Sequence, residues 1–304
     1  MSSAGDLNLA VMDISTADIQ RIVDRYLRSE ASASMVLMEL IQVTEDPAAI
    51  ARALPTLDGE PARLRDLARH LAENEDGCRT IVRMIRQRLD SPEVAADVED
   101  GIERCRKLFD ASVAESEESS VALYSLGSPG LLAAATDEVI GVLEDWGVLG
   151  SRRDALEVGC GIGRLMVPLC SRVRSVVGTD VSPRMIAAAT RRLEGLSNAR
   201  VRLTTGQDLS EFGSGSIDLV YSVDTFPYLV LSGHALVERH FQEIRRVLRP
   251  GGDFVLFNYA YGRPREDANG EVLALAYGAE MQVTRADESP FRLWNGIGWQ
   301  MRRG

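Results

Sequence analysis

Apolar residues recur at three- and four-residue spacing through the first third of the chain, which is the periodicity of amphipathic helices. Ser15 can cap the first of these helices, and Asp46 and Pro47 supply an N-cap and an N1 proline for a later one. Six helices are predicted, the fifth reaching Leu89 and the sixth beginning at Pro92. The chain up to about position 110 is therefore expected to be an all-α region.

The pattern changes beyond residue 130. A strongly amphipathic helix spans residues 129–146, and short apolar runs then alternate with helical patterns. The predicted strands are Asp154–Val158, Ser175–Thr179, Val201–Thr205, Ile217–Val223 and Phe254–Tyr259, with a final pair at Met281–Arg285 and Phe291–Met301. The predicted helices between them are Arg164–Cys170, Pro183–Gly195 and Ala235–Leu248. This alternation favours an α/β fold with an open, mostly parallel sheet, helices on both faces and a ligand beyond the carboxyl ends of the strands.

Charge is divided unevenly between these two regions. The chain has 34 basic and 45 acidic side chains, a net charge of −11. Residues 1–150 carry 14 basic and 28 acidic groups (net −14), whereas residues 151–304 carry 20 and 17 (net +3). Nucleic acids and anionic membranes attract clustered Lys and Arg, so neither is an expected partner. The acidic helical region is expected to cover an active site or to form a homodimer.

Cysteine and histidine usage excludes two further classes of protein. The four cysteines, at positions 78, 105, 160 and 170, form no CxxC pair, and the three histidines are scattered. We therefore expect neither a metal site nor a disulfide framework. Met1–Asp13 lacks the basic start of a signal peptide and no apolar run is long enough to cross a membrane, so a cytoplasmic location is expected.

A glycine-rich segment after the first predicted strand carries the strongest chemical signal. It reads LEVGCGIGR over residues 156–164. Glycines there permit a tight turn and the close approach of a ligand, although a plain strand-to-helix connection would also use them. The next strand runs through the sequence VVGTD and ends in the acid Asp180. Its carboxylate can accept both hydroxyls of a ribose, or it can cap the helix that opens at Ser182-Pro183.

Five segments follow one another in an order that resembles class I S-adenosylmethionine-dependent methyltransferases. They are LEVGCGIGR, VVGTDVSPRMIAAA, TTGQDLSEF, IDLVYSVDTFPYL and FQEIRRVLRPGG. The loop pattern Gly159-x-Gly161-x-Gly163, preceded by the acid Glu157, departs from the GxGxxG pattern and disfavours a nicotinamide enzyme. The resemblance covers about residues 120–304. It implies a Rossmann-like, seven-stranded sheet, S-adenosylmethionine as cofactor, and methyl transfer to O, N or C of a small molecule.

The resemblance also implies roles for residues of this chain. Glu157 would face the methionine end of the cofactor, Asp180 would hold the ribose hydroxyls, and Asp208 would meet the adenine unless it is only a turn residue. The full set of implied cofactor-binding residues is Tyr124, Glu157, Gly159, Cys160, Gly161, Gly163, Asp180, Val181, Met185, Gln207, Asp208, Leu209, Ser222 and Val223.

Acceptor chemistry is expected just after the fourth predicted strand. Asp224 would steer the nucleophile or take its proton, as the catalytic residue. Phe226 and Tyr228 would form an apolar wall for the substrate, unless these rings belong to the core.

Two domains are predicted, a helical one at residues 1–112 and a methyltransferase domain at residues 113–304. The acidic, serine-rich run Ala114–Ser120 marks the boundary unless it starts another helix. An alternative function is a non-catalytic binding or sensor protein that uses the acidic helices to contact a partner. The intact glycines and acid of the loop disfavour this alternative.

Overall fold

Helices make up most of the described chain before the first strand, as predicted. The structure is a computed structural model that describes residues 15–87 and 95–304. The predicted features at Leu89, at Pro92 and in Met1–Asp13 lie outside the described residues. The helices are α1 Thr16–Leu27, α2 Ala33–Thr44, α3 Pro47–Ala53, α4 Pro61–Glu73, α5 Glu75–Arg86, α6 Val98–Glu115, α7 Glu117–Val121 and α8 Pro129–Asp145.

Both predicted helix caps form. The Ser15 Oγ accepts a hydrogen bond from the backbone N–H of Asp18 at 3.2 Å, and Asp46 accepts from the first turn of α3, which begins at Pro47. These side chains satisfy backbone donors that have no partner within the helix. None of the described helices is long and apolar enough to cross a membrane.

The rest of the chain forms a seven-stranded sheet, which confirms the predicted fold class. The strands are β1 Gly150–Val158, β2 Val173–Asp180, β3 Ala199–Leu203, β4 Ile217–Val223, β5 Leu248–Phe257, β6 Met281–Glu288 and β7 Gly298–Arg303. Their order is β3-β2-β1-β4-β5-β7-β6; β7 runs antiparallel to both β5 and β6, and the other described strands run in one common direction. The accompanying helices are α9 Met166–Leu169, α10 Pro183–Arg192, α11 Phe226–Ser232, α12 His234–Val247 and α13 Arg265–Gly278.

Several predicted boundaries differ from those observed. The helix predicted over Arg164–Cys170 is a single turn, α9, and α11 and α13 were not predicted. The third strand lies two residues before its predicted position and ends at Leu203, which pairs with Asp180, the last residue of β2. The sequence Pro250-Gly251-Gly252 lies inside β5, where the pairing with β4 shifts register, rather than before it. Proline and two glycines are compatible with such an interruption of the ladder.

Helix α6 crosses the predicted domain boundary. It runs unbroken to Glu115, and the run Ala114–Ser120 spans its end and most of α7, so this segment starts another helix. The carboxylate of Asp110 on α6 accepts hydrogen bonds from the Ser182 Oγ (2.6 Å) and the backbone N–H of Arg184 (3.1 Å) at the start of α10. The helical region is thus bonded directly to the sheet region, and its separation as a domain stays a prediction.

Strand order determines where a ligand can bind. β1 lies between β2 and β4, so the chain proceeds from β1 through β2 to β3 on one side and then crosses back to β4 on the other side of β1. Ala155 of β1 packs in the apolar cluster on one face, and Leu156 packs in the cluster on the other. In such a sheet, the crevice forms at the carboxyl ends of the strands where the order reverses. These ends are Val158, Asp180 and Val223.

Candidate active site

A cavity of about 810 Å³ lies at these strand ends. Its lining includes the glycine loop after β1 and the ends of β2 and β4. Residues of α2, α5 and α6 in the helical region contribute the side chains Met35, Met84 and Phe109. The volume is in the range of small-molecule sites.

At two positions of the loop only glycine fits, because the backbone has a positive φ and a Cβ atom would clash with neighbouring side chains. Gly159 has φ 75° and Gly161 has φ 51°, values that residues other than glycine rarely adopt. A Cβ on Gly159 would lie 2.0 Å from the Thr225 Oγ1, and one on Gly161 would lie 2.8 Å from Val121 Cγ1. At both positions a side chain would collide with neighbouring residues. The loop therefore presents bare backbone to the cavity.

Asp180 ties the glycine loop to α10. Its Oδ2 accepts from the backbone N–H of Gly161 at 2.9 Å, and its Oδ1 accepts from the backbone N–H of Ser182 at 2.9 Å. Burial nevertheless raises the pKa of Asp180 to about 6. Ser182 is the N-cap residue of α10, because its Oγ accepts from the backbone N–H of Met185. Asp180 is therefore not the cap, and its carboxylate lies at the cavity.

Glu157 is a second buried acid at the cavity. It is 3% exposed, and its Oε2 accepts a hydrogen bond from the Tyr221 hydroxyl at 2.9 Å. Burial raises the pKa of Glu157 to about 8, while Tyr221 and Arg164 oppose the shift. An acid held in an apolar crevice gains from a cationic partner, which the bound ligand can supply.

Arg164 is a cavity residue that the sequence analysis missed. It is 9% exposed, and its guanidinium donates to the Thr136 Oγ1 at 3.0 Å. It forms no ion pair within the described part of the chain, although its charge opposes the rise that burial causes in the pKa of Glu157 and of Asp224. A buried cation without an anionic partner is costly. One signal was available, since an Arg at the start of a helix opposes the helix dipole.

Asp224, Asn258 and Tyr261 form a hydrogen-bonded group at the ends of β4 and β5. The Asn258 Nδ2 donates to the Asp224 Oδ1 at 2.6 Å, and the Tyr261 hydroxyl donates to the same oxygen at 2.8 Å. The Asn258 Oδ1 accepts from the backbone N–H of Ile297 at 3.0 Å, which fixes the orientation of the amide. Burial raises the pKa of Asp224, although both donors and Arg164 oppose that shift.

Aromatic rings surround this group. Tyr228 packs edge-on against Phe109 of α6, with ring centroids 4.8 Å apart, and against Tyr261 at 6.2 Å. Tyr124 stacks on Trp294 at 5.7 Å with an interplanar angle of 10°. All five rings line the cavity. They make part of the cavity wall apolar and rich in π-faces.

Three buried polar atoms at the cavity have no hydrogen-bond partner among the described residues. They are the Ser119 Oγ, the Tyr124 hydroxyl and the Trp294 Nε1, and all three residues line the cavity. Buried polar groups in folded proteins are almost always paired. These atoms, with the unused donors of Arg164, therefore indicate a polar ligand in this part of the cavity.

Most of the predicted site residues are brought together at the cavity. Asp208 lines it and also makes the turn interaction considered from the sequence, because its Oδ1 accepts from the backbone N–H of Ser210 at 3.0 Å. The predicted residues found in the lining are Tyr124, Glu157, Gly159, Cys160, Gly161, Asp180, Val181, Met185, Asp208, Leu209, Val223, Asp224 and Tyr228.

Four predicted residues lie elsewhere. The ring of Phe226 is fully buried between Phe241 and Phe254 in the core, so it does not form a wall of the acceptor pocket. Its position in the first turn of α11 directs it inward. The Ser222 Oγ donates to the Val158 carbonyl and joins two strands. Gly163 packs against α10, and Gln207 also lies outside the lining.

The part of the chain that forms most of the cavity is similar to a known protein family. The model of a methyltransferase domain matches residues 156–256, from the end of β1 to the end of β5. Residues 156–256 therefore form a methyltransferase domain. The match includes Glu157, the glycine loop, Asp180 and Asp224, and it excludes the helical region. S-adenosylmethionine is therefore the cofactor that the cavity should fit.

Relatives of this methyltransferase domain are found in fungi and bacteria. It is 28% identical over 113 residues to a probable S-adenosylmethionine-dependent methyltransferase of Saccharomyces cerevisiae, which covers 36% of this chain and 37% of that protein. It is 37% identical over 107 residues to nocamycin O-methyltransferase of Saccharothrix syringae, which covers 33% of this chain and 35% of that protein. The chain thus spans less than half the length of these curated relatives.

The fold is also similar to that of solved structures. Geranyl diphosphate C-methyltransferase from Streptomyces coelicolor, in complex with Mg²⁺, geranyl diphosphate and S-adenosyl-L-homocysteine, has a TM-score of 0.52 and 17% sequence identity. The similarity covers 69% of this chain and all of that one. At this identity the comparison shows the fold alone.

Residues at the methyltransferase cavity fit the chemistry of S-adenosylmethionine. The cofactor has a carboxylate, an ammonium group and two ribose hydroxyls. Arg164 offers unused donors to a carboxylate, Glu157 offers a buried acid to an ammonium, and Asp180 offers acceptors to hydroxyls. Gly159 and Gly161 leave backbone space that any Cβ would fill.

Proposed function

We propose that the protein transfers a methyl group from S-adenosylmethionine to a small molecule held in the same cavity. The proposal rests on one observation above the others. A single cavity joins Glu157, Gly159 and Asp180 on the cofactor side to Asp224, whose carboxylate has one oxygen without a partner among the described residues. A non-catalytic binding protein would need the first three residues but would have no use for the fourth.

The cofactor side would position the donor. Asp180 would accept the ribose hydroxyls, and Glu157 would accept the ammonium, which would also relieve the cost of its burial. Arg164 would pair with the methionine carboxylate, with the Tyr124 hydroxyl and Ser119 Oγ as further donors. When bound, S-adenosylmethionine supplies a methyl group on a good leaving group. The chain therefore has mainly to orient the nucleophile and exclude water.

The acceptor side would orient the nucleophile and receive its proton. Asn258 and Tyr261 hold one oxygen of Asp224, so the other can accept a hydrogen bond from the substrate. Burial raises the pKa of Asp224, which makes this carboxylate a better base than an exposed one. Tyr228 would pack on the acceptor as part of the pocket wall.

The helical region would close the acceptor pocket. Met35, Met84 and Phe109 come from three of its helices and line the cavity. Methionine side chains adapt to irregular apolar shapes, as an acceptor pocket requires. Salt bridges from Glu117 to Arg191 (2.8 Å) and Arg192 (3.2 Å) hold α7 against α10. The acidic surface would then be the outer side of a region that covers the acceptor pocket. A role of the helical region in forming a homodimer stays a prediction.

Isothermal titration with S-adenosylmethionine tests the proposal. The unmodified protein should bind with a dissociation constant on the order of micromolar. Asp180→Ala should weaken binding at least tenfold, and Gly161→Arg should abolish it while the fold is retained by circular dichroism. Asp145→Ala, at an exposed helix end, is the matched control and should bind normally. Absence of binding by the folded protein, or equal binding by Asp180→Ala, contradicts the proposal.

A further inference from the structure

Asp224 is a half-buried carboxylate whose charge is not paired within the described chain. Both of its hydrogen-bond donors, Asn258 Nδ2 and the Tyr261 hydroxyl, are neutral and bind the same oxygen, Oδ1. Its Oδ2 has no partner among the described residues, and the residue lines the cavity. A carboxylate in this setting is stabilised most by a ligand that brings a positive charge.

The two arginines in the cavity lining, Arg164 and Arg263, do not fill that role. Burial raises the pKa of Asp224 and the charge of Arg164 opposes the rise, but the observed hydrogen bond of Arg164 goes to Thr136. Under the proposed function its remaining donors hold the carboxylate of the cofactor. Arg263, also in the lining, is paired with Glu271. The positive charge of the cofactor's sulfonium is lost once its methyl group is transferred, so Asp224 is then left as the anion that faces the methylated acceptor.

The rings beside Asp224 favour the same kind of ligand. Tyr228 packs edge-to-face with both Phe109 and Tyr261 at the cavity. Aromatic faces attract cations, most strongly where water is excluded. A negatively charged acceptor would meet the carboxylate of Asp224 without compensation, and a neutral alcohol could donate one hydrogen bond but would leave the charge unpaired.

We propose that the methyl acceptor is a primary or secondary amine, bound as its ammonium form between the Oδ2 of Asp224 and the rings of Tyr228 and Tyr261. This inference rests on the proposed function, since it names the substrate class of the same site. Met35, Met38 and Met84 at the cavity would receive the apolar part of the amine.

The reaction balances with the groups present. The bound ammonium gives one proton to the Oδ2 of Asp224 and becomes a neutral amine. Its lone pair attacks the methyl carbon, so the N–C bond forms as the C–S bond breaks and that electron pair stays on sulfur. The product is a methylammonium ion beside a neutral Asp224 carboxylic acid, and the total charge is unchanged. Asp224 then releases its proton to solvent when the product leaves.

Two matched sets of probes test the amine assignment. Phenethylamine, phenethyl alcohol and phenylpropionate share one apolar body, and octylamine, octanol and octanoate share another. Each is titrated into the full chain in the presence of S-adenosylhomocysteine. At least one amine should bind tenfold or more tightly than its alcohol, and the carboxylates should bind more weakly still. The same amine should accept a labelled methyl group from S-adenosylmethionine.

Variants separate the charge of Asp224 from its shape. Asp224→Asn should lower the affinity for the amine tenfold or more and leave that for the alcohol within twofold. Tyr261→Phe, a milder change, should reduce the amine preference without removing it. Asp145→Asn, at an exposed site, should change neither.

The outcomes also distinguish this inference from the proposed function. If S-adenosylhomocysteine binds but neither amine is preferred over its alcohol, including the case in which no probe binds, the amine assignment is overturned and the methyltransferase proposal stands. If neither S-adenosylmethionine nor S-adenosylhomocysteine binds the folded protein, the proposed function itself fails. An amine preference that survives Asp224→Asn also overturns the assignment.

Discussion

The Asn258 amide donates to the Asp224 carboxylate across the ends of two neighbouring strands, with 2.6 Å between Nδ2 and Oδ1. Both residues have left-handed backbones, with φ 57° at Asp224 and 62° at Asn258, a conformation that Asp and Asn tolerate better than most residues. Each strand thus ends in a residue with a left-handed backbone, and the side chains of these two residues meet in the hydrogen bond. Asn258 is therefore a positioning residue for Asp224.

Asn258→Ala should shift the pH dependence of methyl transfer. Loss of a donor to the carboxylate raises the pKa of Asp224 further, so the acidic limb of the rate profile should move to higher pH. We expect kcat to fall about tenfold to a hundredfold, less than the roughly 10²–10⁴-fold contribution of a positioned acid or base because Asp224 itself remains, with KM for S-adenosylmethionine nearly constant. Steady-state kinetics against pH checks this. A fall in kcat with an unshifted profile would show that Asn258 acts only on structure.

Arg164→Gln should weaken cofactor binding only by removing the interaction with the methionine carboxylate of S-adenosylmethionine. A charge-assisted hydrogen bond contributes about 1.5–3 kcal/mol, so affinity for S-adenosylmethionine should fall about tenfold to a hundredfold. Affinity for methylthioadenosine, which lacks the amino-acid part, should stay the same. Arg172→Gln, which removes an exposed pair with Glu144, is the control. Equal losses for both ligands would place Arg164 away from the carboxylate.

Gly159→Ala should destabilise the protein, because the new Cβ would lie 2.0 Å from the Thr225 Oγ1 and the backbone φ is 75°. Strain of this kind costs about 1–3 kcal/mol in the free energy of unfolding. Gly141→Ala, within α8, meets nothing within 4 Å and should stabilise the protein by about 0.5–1 kcal/mol. Thermal unfolding of both variants provides the comparison. Similar melting temperatures would contradict the crowding seen at Gly159.

Glu157→Gln should stabilise the ligand-free protein at alkaline pH. The pKa of Glu157 is raised by burial from 4.5 to about 8 in the folded state, so its contribution to stability is present below pH 4.5 and is lost as pH rises through 8. Glutamine avoids that loss and can still accept from Tyr221. One pKa unit corresponds to about 1.4 kcal/mol, and we expect at least that gain at pH 9 with little change at pH 5. Urea unfolding of both proteins at pH 5 and pH 9 measures this difference in the free energy of unfolding.

The parts of the site that could be predicted are those formed by one short, continuous segment of the sequence. Glu157, the glycines and Asp180 belong to one strand–turn–helix–strand unit, where backbone conformation and side-chain chemistry are set within a short continuous segment. The contacts of Asn258 with Asp224 and of Trp294 with Tyr124 join segments far apart in sequence, and no periodic pattern indicates them. Such pairs depend on how the strands and helices pack together.

Phe226 and α13 show two further limits of sequence analysis. Phe226 and Tyr228 lie two positions apart in the first turn of α11 and so point to opposite sides of the helix, and the sequence does not show which of the two aromatic rings faces the cavity. The buried residues of α13 are Ala268, Val272, Leu275 and Ala276, and with two alanines among four positions they do not give a clear apolar stripe. The fold class was predictable because a parallel sheet follows from the alternation of strands and helices, whereas these details do not.

A crystal structure with S-adenosylhomocysteine bound tests the central claim most directly. We predict the ligand in the cavity with its ribose hydroxyls on Asp180, its carboxylate at Arg164 and its sulfur on the side of Asp224. The Oδ2 of Asp224 should remain free beside it for the acceptor. Ligand bound outside this cavity, or bound with its ribose away from Asp180, would contradict the account.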